Sequence, residues 1–297
     1  MAVPTACLQI DTYAYLHRRL LWAMLFDYVL IFHPGYENQF VNAGHTKAFV
    51  QPHAVEADLF VQIPHQNRTN DIGWVGRLDG SLYSRRRHLI PRLAETFRMN
   101  DWHRSYSYEE MSRIYGISKI GLNISRDDHP EDANLRVFEI MAAGAMLVTS
   151  MPSELEKFGF QSGKHFVGYA HEPELIDRVR YYLQYDIERE RIAAAGCELV
   201  LREHTYDRRA EEILRILDQD RGRLFAPARS WPEERVRQVY LDYYCAHNLL
   251  SCALGELHRL AVIRPPAAWK SLPPIVGALR RGLRNWTMDL TNLWAHK

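Results

Sequence analysis

The chain has 297 residues, which is enough for one large domain or two domains of ordinary size. Hydrophobic residues make up 47% and charged residues 25%, a balance typical of a globular protein with a substantial core. The formal net charge of +1 gives no global attraction to nucleic acid, and the four scattered cysteines lack metal-ligand spacing. No secretory signal pattern begins the chain, and the longest apolar stretch, residues 20–32, is interrupted by Asp27 and too short to span a bilayer. We therefore expect a soluble, cytoplasmic protein with reduced thiols.

The N-terminal region, residues 1–67, alternates between strand-like and helix-like patterns. The run 28–32 (YVLIF) has the β-branched and aromatic content of a buried strand, and residues 6–10 and 47–50 indicate two more. A mixed helical stretch and a short helix ending near Gly44 separate them. This alternation predicts βαβ units and a parallel sheet.

A polar, turn-rich linker at residues 64–70 precedes a second alternating region, residues 71–220. Its repeated βα pattern predicts a Rossmann-like, doubly wound domain. Strands are expected at 72–75, 120–124 and 146–149, helices at 87–97, 108–115, 135–143 and 173–183, and a long helical tract over 189–217.

The segment 221–297 predicts a helical C-terminal extension, helical throughout 233–260 and ending in a basic amphipathic helix. Such a helix either packs on its own protein or lies on a membrane surface, so we expect at most peripheral membrane contact. One face of this last helix is apolar (Ile275, Leu279, Trp286 and Leu290), and arginines lie elsewhere on it (Arg280, Arg281 and Arg284).

The segment 129–144, HPEDANLRVFEIMAAG, contains the main candidates for ligand binding and catalysis. It reads as a polar loop followed by a helix whose cap is Asp132 or Asn134. Glu131 and Glu139 flank the helix start with seven residues between them. Both glutamates in such positions can simply complement a helix N-terminus.

A nucleotide-sugar donor would use the same features in another way. The helix start offers the amides of Asn134, Leu135 and Arg136 to a diphosphate. Glu139 leans back toward that terminus and can accept hydrogen bonds from two ribose hydroxyls, whereas Glu131 on the loop can reach the transferred sugar.

The stretch 134–150, NLRVFEIMAAGAMLVTS, resembles the central signature of GT-B glycosyltransferases, in the branch that includes CgeB-like spore-maturation proteins. Three further segments, 106–125, 162–183 and 204–214, resemble other parts of a C-terminal domain of the glycosyl transferases group 1 type. The resemblance makes Glu139 the ribose ligand, puts Glu131 beside the donor sugar and implies retention of anomeric configuration. It also implies two facing Rossmann-like domains, of which residues 1–67 supply only part of the N-terminal, acceptor-side one.

The resemblance further places a basic residue on the loop after the first strand of this domain, residues 74–90. Gly76, Arg77 and the cluster at 85–87 are the candidates for diphosphate binding. Arg86 is the preferred diphosphate ligand and Arg77 the second choice, since guanidinium groups fit phosphate oxygens. Arg136 is a third candidate. The alternative is a solvated, charged helix start.

Three further expectations concern the reaction itself. No paired aspartates lie between apolar strands, so we expect no metal and no cofactor, with the nucleotide sugar as co-substrate. His129, beside Glu131, is a catalytic candidate that can contact sugar or phosphate, although a loop histidine is more often structural. Asp11, at the end of the first strand, is a candidate on the acceptor side.

The predicted function is therefore a glycosyltransferase acting on an unknown acceptor, within an α/β, GT-B-like fold. Because the N-terminal domain is short, a second chain that completes its sheet, in a homo- or hetero-oligomer, is an expected partner. A non-catalytic nucleotide-sugar-binding or scaffolding subunit is the alternative function. Nucleic acid is not expected as a partner, because the basic residues are not interleaved with aromatic ones.

Overall fold

A computed structural model describes residues 3–13, 15–60, 62–220 and 223–280. The strands are β1 (Ala6–Gln9), β2 (Tyr28–Ile31), β3 (Ala48–Val50), β4 (Asn70–Gly73), β5 (Ser118–Asn123), β6 (Met146–Ser150) and β7 (Val167–Tyr169). The helices are α1 (Leu16–Ala23), α2 (Glu37–Asn42), α3 (Ser84–Thr96), α4 (Tyr108–Gly116), α5 (Leu135–Ala142), α6 (Glu172–Gln184), α7 (Asp186–Glu203), α8 (Tyr206–Gln219), α9 (Glu233–Ala246), α10 (Leu250–Ile263), α11 (Pro265–Lys270) and α12 (residues 272–280).

The chain forms two compact units. The first contains residues 1–31, 35–50 and 222–297, and the second contains residues 32–34 and 51–221. The C-terminal helices thus share a unit with β1, β2 and β3. The predicted boundaries at 67, 71 and 220 stay a prediction.

The first unit holds a parallel sheet of order β1-β2-β3, in which Val29 lies opposite both Cys7 and Ala48. Ala23, Val29, Ile31 and Phe40 form a small buried core beside this sheet. A second apolar cluster joins α9, α10 and α12 through Leu241, Cys245, Ala253, Ile275 and Ala278. Burial of these side chains is what makes the helices stable, since short helices are marginal in isolation.

Asp27, a fully buried carboxylate, connects distant segments of the first unit. It accepts hydrogen bonds from the backbone N–H of Thr5 at 2.9 Å, of Phe225 at 2.8 Å and of Ala226 at 3.0 Å, and lies 3.3 Å from Nε of Arg229. Burial raises the pKa of Asp27, but these donors lower it by more, so the pKa lies well below its ordinary value of 3.8. The buried charge is therefore compensated.

The second unit holds a parallel sheet of order β4-β5-β6-β7 with helices on both faces, as expected for a doubly wound domain. Alternate residues of β5 and β6 point to opposite sides: Ile120, Leu122, Met146 and Val148 pack with α3 and α6, whereas Leu147 packs with α4 and α5. This two-sided burial explains the nearly continuous apolar runs of β5 and β6.

Several elements differ from the sequence-based expectation. The helical tract predicted over 189–217 is two helices, because Thr205 caps α8 by accepting a hydrogen bond from the backbone N–H of Arg208. The tract predicted over 233–260 is likewise divided, into α9 and α10. Strand β7 was not predicted. The described helices include none with the length and apolar character that a membrane span requires. Arg281, Arg284, Trp286 and Leu290 of the predicted last helix lie outside the described residues.

The compensated charge of Asp27 predicts a specific acid sensitivity. A carboxylate with a depressed pKa in the folded state contributes stability above its ordinary pKa and loses that contribution as pH falls below it. Asp27→Asn should lower the free energy of unfolding at neutral pH by about 3 kcal/mol. In urea unfolding at several pH values, the loss of stability below pH 3.8 should be shallower in this variant than in the wild type. The exposed control Asp58→Asn should follow the wild type, and identical pH profiles for Asp27→Asn and the wild type would contradict this account.

The contact between β5 and α5 predicts a second stability effect. A Cβ added at Gly121 would overlap the side chain of Ile140, whereas one added at Gly255 in α10 meets no heavy atom of the described residues within 4 Å. Gly121→Ala should therefore destabilise the protein by about 1–3 kcal/mol through overpacking. Gly255→Ala should instead stabilise it by up to about 1 kcal/mol, since alanine is the better helix former. Equal thermal midpoints for the two variants would show that the close β5–α5 contact is wrong.

Candidate functional site

The start of α5 is fixed to the carboxyl ends of β5 and β6 by a buried polar network. Asn123, the last residue of β5, donates from Nδ2 to Oγ1 of Thr149 at 3.0 Å and accepts at Oδ1 from Nδ2 of Asn134 at 3.2 Å. Asn134 also accepts a hydrogen bond from the backbone N–H of Arg136 at 3.0 Å. Asn134, rather than Asp132, is therefore the N-cap, and the helix terminus lies where ligands bind in parallel α/β sheets.

The amides predicted to receive a diphosphate lie at this terminus. The N–H of Arg136 already donates to the Asn134 side chain, so Asn134 and Leu135 supply the first amides of the helix. The helix dipole adds partial positive charge at the same end. This terminus is suited to an anion.

Glu139 lies in the second turn of α5 and is buried, with 2% exposure. Its Oε2 is 2.8 Å from Nη1 of Arg136, whose guanidinium lies near the ring of Tyr115. Burial raises the pKa of the Tyr108 hydroxyl, and the adjacent Glu139 raises it further. Arg136 and Tyr108 thus hold the Glu139 carboxylate in one position.

Glu131 and His129 lie on the loop between β5 and α5. Oε1 of Glu131 is 3.6 Å from Nδ1 of His129, and the Glu131 side chain is 42% exposed whereas His129 is buried. Burial lowers the pKa of His129, but the carboxylates of Glu154 and Glu131 raise it by more, to above its ordinary 6.5. The loop therefore presents one accessible carboxylate backed by a buried imidazole.

Sequence reasoning missed two residues that contact this loop, Glu154 and His33. Glu154 donates its backbone N–H to the carbonyl oxygen of Glu131 at 2.8 Å, and its carboxylate lies 3.5 Å from His129 and 3.0 Å from His33. Burial raises the pKa of Glu154, yet the two adjacent histidines and the backbone N–H of Ala133 lower it to about 2. His33 is 121 positions from Glu154 in the chain, so no local pattern could have linked them.

Arg86, on α3, lies at the carboxyl end of β5. Its Nε donates to the carbonyl oxygen of Ile124 at 2.7 Å, and its guanidinium lies 4.4 Å from the centre of the Tyr83 ring. Burial lowers the pKa of Arg86, and the positive charge of Arg136 contributes to the lowering. The charges of the two guanidinium groups therefore act on each other.

The remaining predicted residues are Arg77, Gly76 and Asp11. The Arg77 side chain is 73% exposed and pairs with Asp79 at 3.1 Å, although its backbone carbonyl accepts from Nη1 of Arg86 at 3.3 Å. Gly76 is exposed and close to Trp74, whose ring leaves little room for a Cβ. Asp11 belongs to the first unit, where it has a positive φ of 49°.

Residues 73–215 match the family model described as glycosyl transferase-like. The match runs from the last residue of β4 into α8 and includes the network at α5. A comparison with curated proteins gives no significant match.

Two solved structures have similar folds. Sucrose-phosphate synthase from Thermosynechococcus elongatus superposes with a TM-score of 0.51 and 14% identity, over 71% of this chain and 63% of its own. HepE (Alr3699) of Anabaena in complex with UDP-glucose gives a TM-score of 0.57 and 12% identity, over 73% of this chain and 72% of its own. The chain thus spans less than two thirds of the synthase. The predicted α/β, GT-B-like fold is confirmed, and the glycosyl transferase-like domain supports a role in sugar transfer in general terms.

The network at α5 generates a testable prediction. Asn134→Ala removes both the cap and the bond to Asn123, and should destabilise the protein by about 1–2 kcal/mol in urea unfolding. Asn134→Ser keeps a capping oxygen and loses only the bond to Asn123, so it should cost about half as much. An effect of Asn134→Ser equal to that of Asn134→Ala would show that the cap contributes nothing.

Proposed function

We propose that this protein transfers a sugar from a nucleoside-diphosphate sugar to an acceptor hydroxyl, with retention of anomeric configuration and without a metal at the diphosphate. The observation that carries the proposal is the buried Glu139 carboxylate, held by Arg136 one turn from a capped helix terminus. This arrangement lies inside the glycosyl transferase-like region.

The diphosphate would lie against the amides at the start of α5. Arg86 supplies a fixed cation, because its Nε is anchored on the Ile124 carbonyl and its Nη1 on the Arg77 carbonyl, while Nη2 can face phosphate oxygens. Arg136 adds a second positive charge. These groups would stabilise the charge that develops on the leaving diphosphate, which is where electrostatic catalysis is most effective.

The ribose would bind to Glu139. Two adjacent hydroxyls can donate to one carboxylate, and hydrogen bonds to a charged acceptor are stronger than neutral ones. HepE, which shares the fold, was solved with UDP-glucose, so UDP and UDP-glucose are the first ligands to test.

The transferred sugar would lie beside Glu131, the accessible carboxylate of the loop before α5. In the reaction, the bond between the anomeric carbon and the diphosphate oxygen breaks through an oxocarbenium-like state, and the acceptor oxygen bonds to that carbon. The acceptor proton leaves with the diphosphate. His129 would orient Glu131 rather than take this proton, because it is buried between Glu131 and Glu154.

Within this proposal, the CgeB-like branch is the proposed subfamily, and Asp11 is a proposed acceptor-side residue. The sheet of the first unit has three strands among the described residues. That small sheet favours a second candidate function, a nucleotide-sugar-binding subunit that pairs with an active transferase and whose partner completes the sheet.

The proposal predicts that UDP and UDP-glucose raise the thermal midpoint of the protein in the presence of EDTA. Glu139→Gln and Arg86→Gln should each weaken UDP affinity by about tenfold or more, since each removes a charge-assisted contact. The controls Glu95→Gln and Arg87→Gln alter exposed side chains of α3 and should change affinity less than about twofold.

Two measurements separate the candidate functions. Release of UDP from UDP-glucose, lost in Glu131→Ala, would support transfer. Stabilisation by the donor with no UDP release in the presence of varied acceptors would favour the binding subunit. A wild-type protein stabilised by none of the uridine, guanosine or thymidine diphosphate sugars would contradict both functions.

A further inference from the structure

A buried cluster of metal-ligating side chains lies next to the proposed donor site and takes no direct part in it. One ring nitrogen of His33, one ring nitrogen of His129 and one carboxylate oxygen of Glu154 lie within 4.8 Å of one another. The three residues are 1%, 7% and 3% exposed. All three belong to the second unit. We infer that His33, His129 and Glu154 bind a divalent transition-metal ion, most suitably Zn²⁺, which fixes the loop that carries Glu131.

The spacing of the ligand atoms fits one small ion. Zinc binds imidazole nitrogen and carboxylate oxygen at about 2.0–2.2 Å in tetrahedral geometry, which places neighbouring ligand atoms about 3.4 Å apart. Here Oε2 of Glu154 is 3.0 Å from His33 Nδ1, and the other oxygen, Oε1, is 3.5 Å from His129 Nε2, so each carboxylate oxygen faces one imidazole. The separation between Oε1 of Glu154 and Nε2 of His129 exceeds that of a normal charge-assisted hydrogen bond and matches the spacing of two ligands on one zinc ion.

The surroundings of these three ligands carry excess negative charge. Oδ1 of Asp132, a buried residue, is 3.8 Å from Nδ1 of His33. With Glu131, three carboxylates surround two imidazoles, and a divalent cation would balance most of this charge. Imidazole with carboxylate is a ligand set that zinc accepts readily, whereas Mg²⁺ and Ca²⁺ prefer oxygen alone.

The ligands are also oriented by groups behind them, as in established metal sites. Glu131 faces Nδ1 of His129 at 3.6 Å, on the opposite side of the ring from Nε2. The backbone N–H of Ala133 donates to Glu154 Oε2 at 3.3 Å. These contacts direct Nε2 of His129 and the Glu154 carboxylate toward the same point.

The position of the cluster gives the ion a structural role. His129 and Asp132 lie on the loop before α5, and Glu154 begins the 3-10 helix Glu154–Phe158 after β6. An ion here would join the loop to that helix and hold Glu131 in place. The ion is distinct from one that bridges a diphosphate, which the proposed function does without. The sequence-based expectation of no metal is revised only for this cluster.

The test is metal binding by the full chain after removal of metal with a strong chelator. The wild type should take up one zinc ion per chain at neutral pH, in competition with a chromogenic chelator. Co²⁺ in its place should give the intense visible absorption of a four-coordinate site. Glu154→Gln and His129→Gln should each weaken zinc affinity by about 30-fold or more, because each removes a ligand.

His88→Gln is the matched control, since His88 also faces a carboxylate, Glu172 at 3.2 Å, but is exposed. It should leave zinc affinity unchanged. Circular dichroism checks the folding of each variant, and where a variant does not fold, the cobalt spectrum of the wild type decides. A wild type that takes up no stoichiometric zinc, a six-coordinate cobalt spectrum, or equal losses in His88→Gln and His129→Gln would overturn the inference.

Discussion

The hydrogen bonds that join Asn134 to Asn123, and Asn123 to Thr149, determine where α5 begins relative to the sheet. The bond between Asn123 and Thr149 is buried and the bond between Asn134 and Asn123 is partly buried, so breaking them costs free energy and the start of the helix is fixed. The other features of the candidate site depend on this point. Once the first turn of α5 is fixed, the distance between Glu139 and the amides at the start of the helix is fixed as well. Arg136, on the same helix, then reaches Glu139.

Much of the second unit could be predicted from the sequence, since its elements carry strong local signals. The apolar runs of β5 and β6 and the spacing of α5 are visible in the chain, and so is the pair Glu131 and Glu139. Features set by competing local interactions were not predicted. The break between α7 and α8 follows from a single capping hydroxyl, Thr205, inside an otherwise helical pattern. Strand β7 has three residues, too few for periodicity to show.

Contacts made by the topology could not be read from the sequence at all. His33 follows β2 and Glu154 follows β6, yet their side chains lie 3.0 Å apart. The different contacts of the three consecutive arginines at 85–87 could not be predicted from the sequence either. Arg86 is anchored on the Ile124 carbonyl, Arg85 pairs with Asp127 and Arg87 bonds to the loop before α3. The preference for Arg86 as the diphosphate ligand rested on resemblance and stays a prediction.

The central claim is that a nucleoside diphosphate binds at the start of α5. A crystal structure of the protein with UDP tests it most directly. The account predicts phosphate oxygens within hydrogen-bond distance of the Asn134 and Leu135 amides and of Arg86, with both ribose hydroxyls on Glu139. Uridine diphosphate bound elsewhere, or a ribose that makes no contact with Glu139, would contradict it.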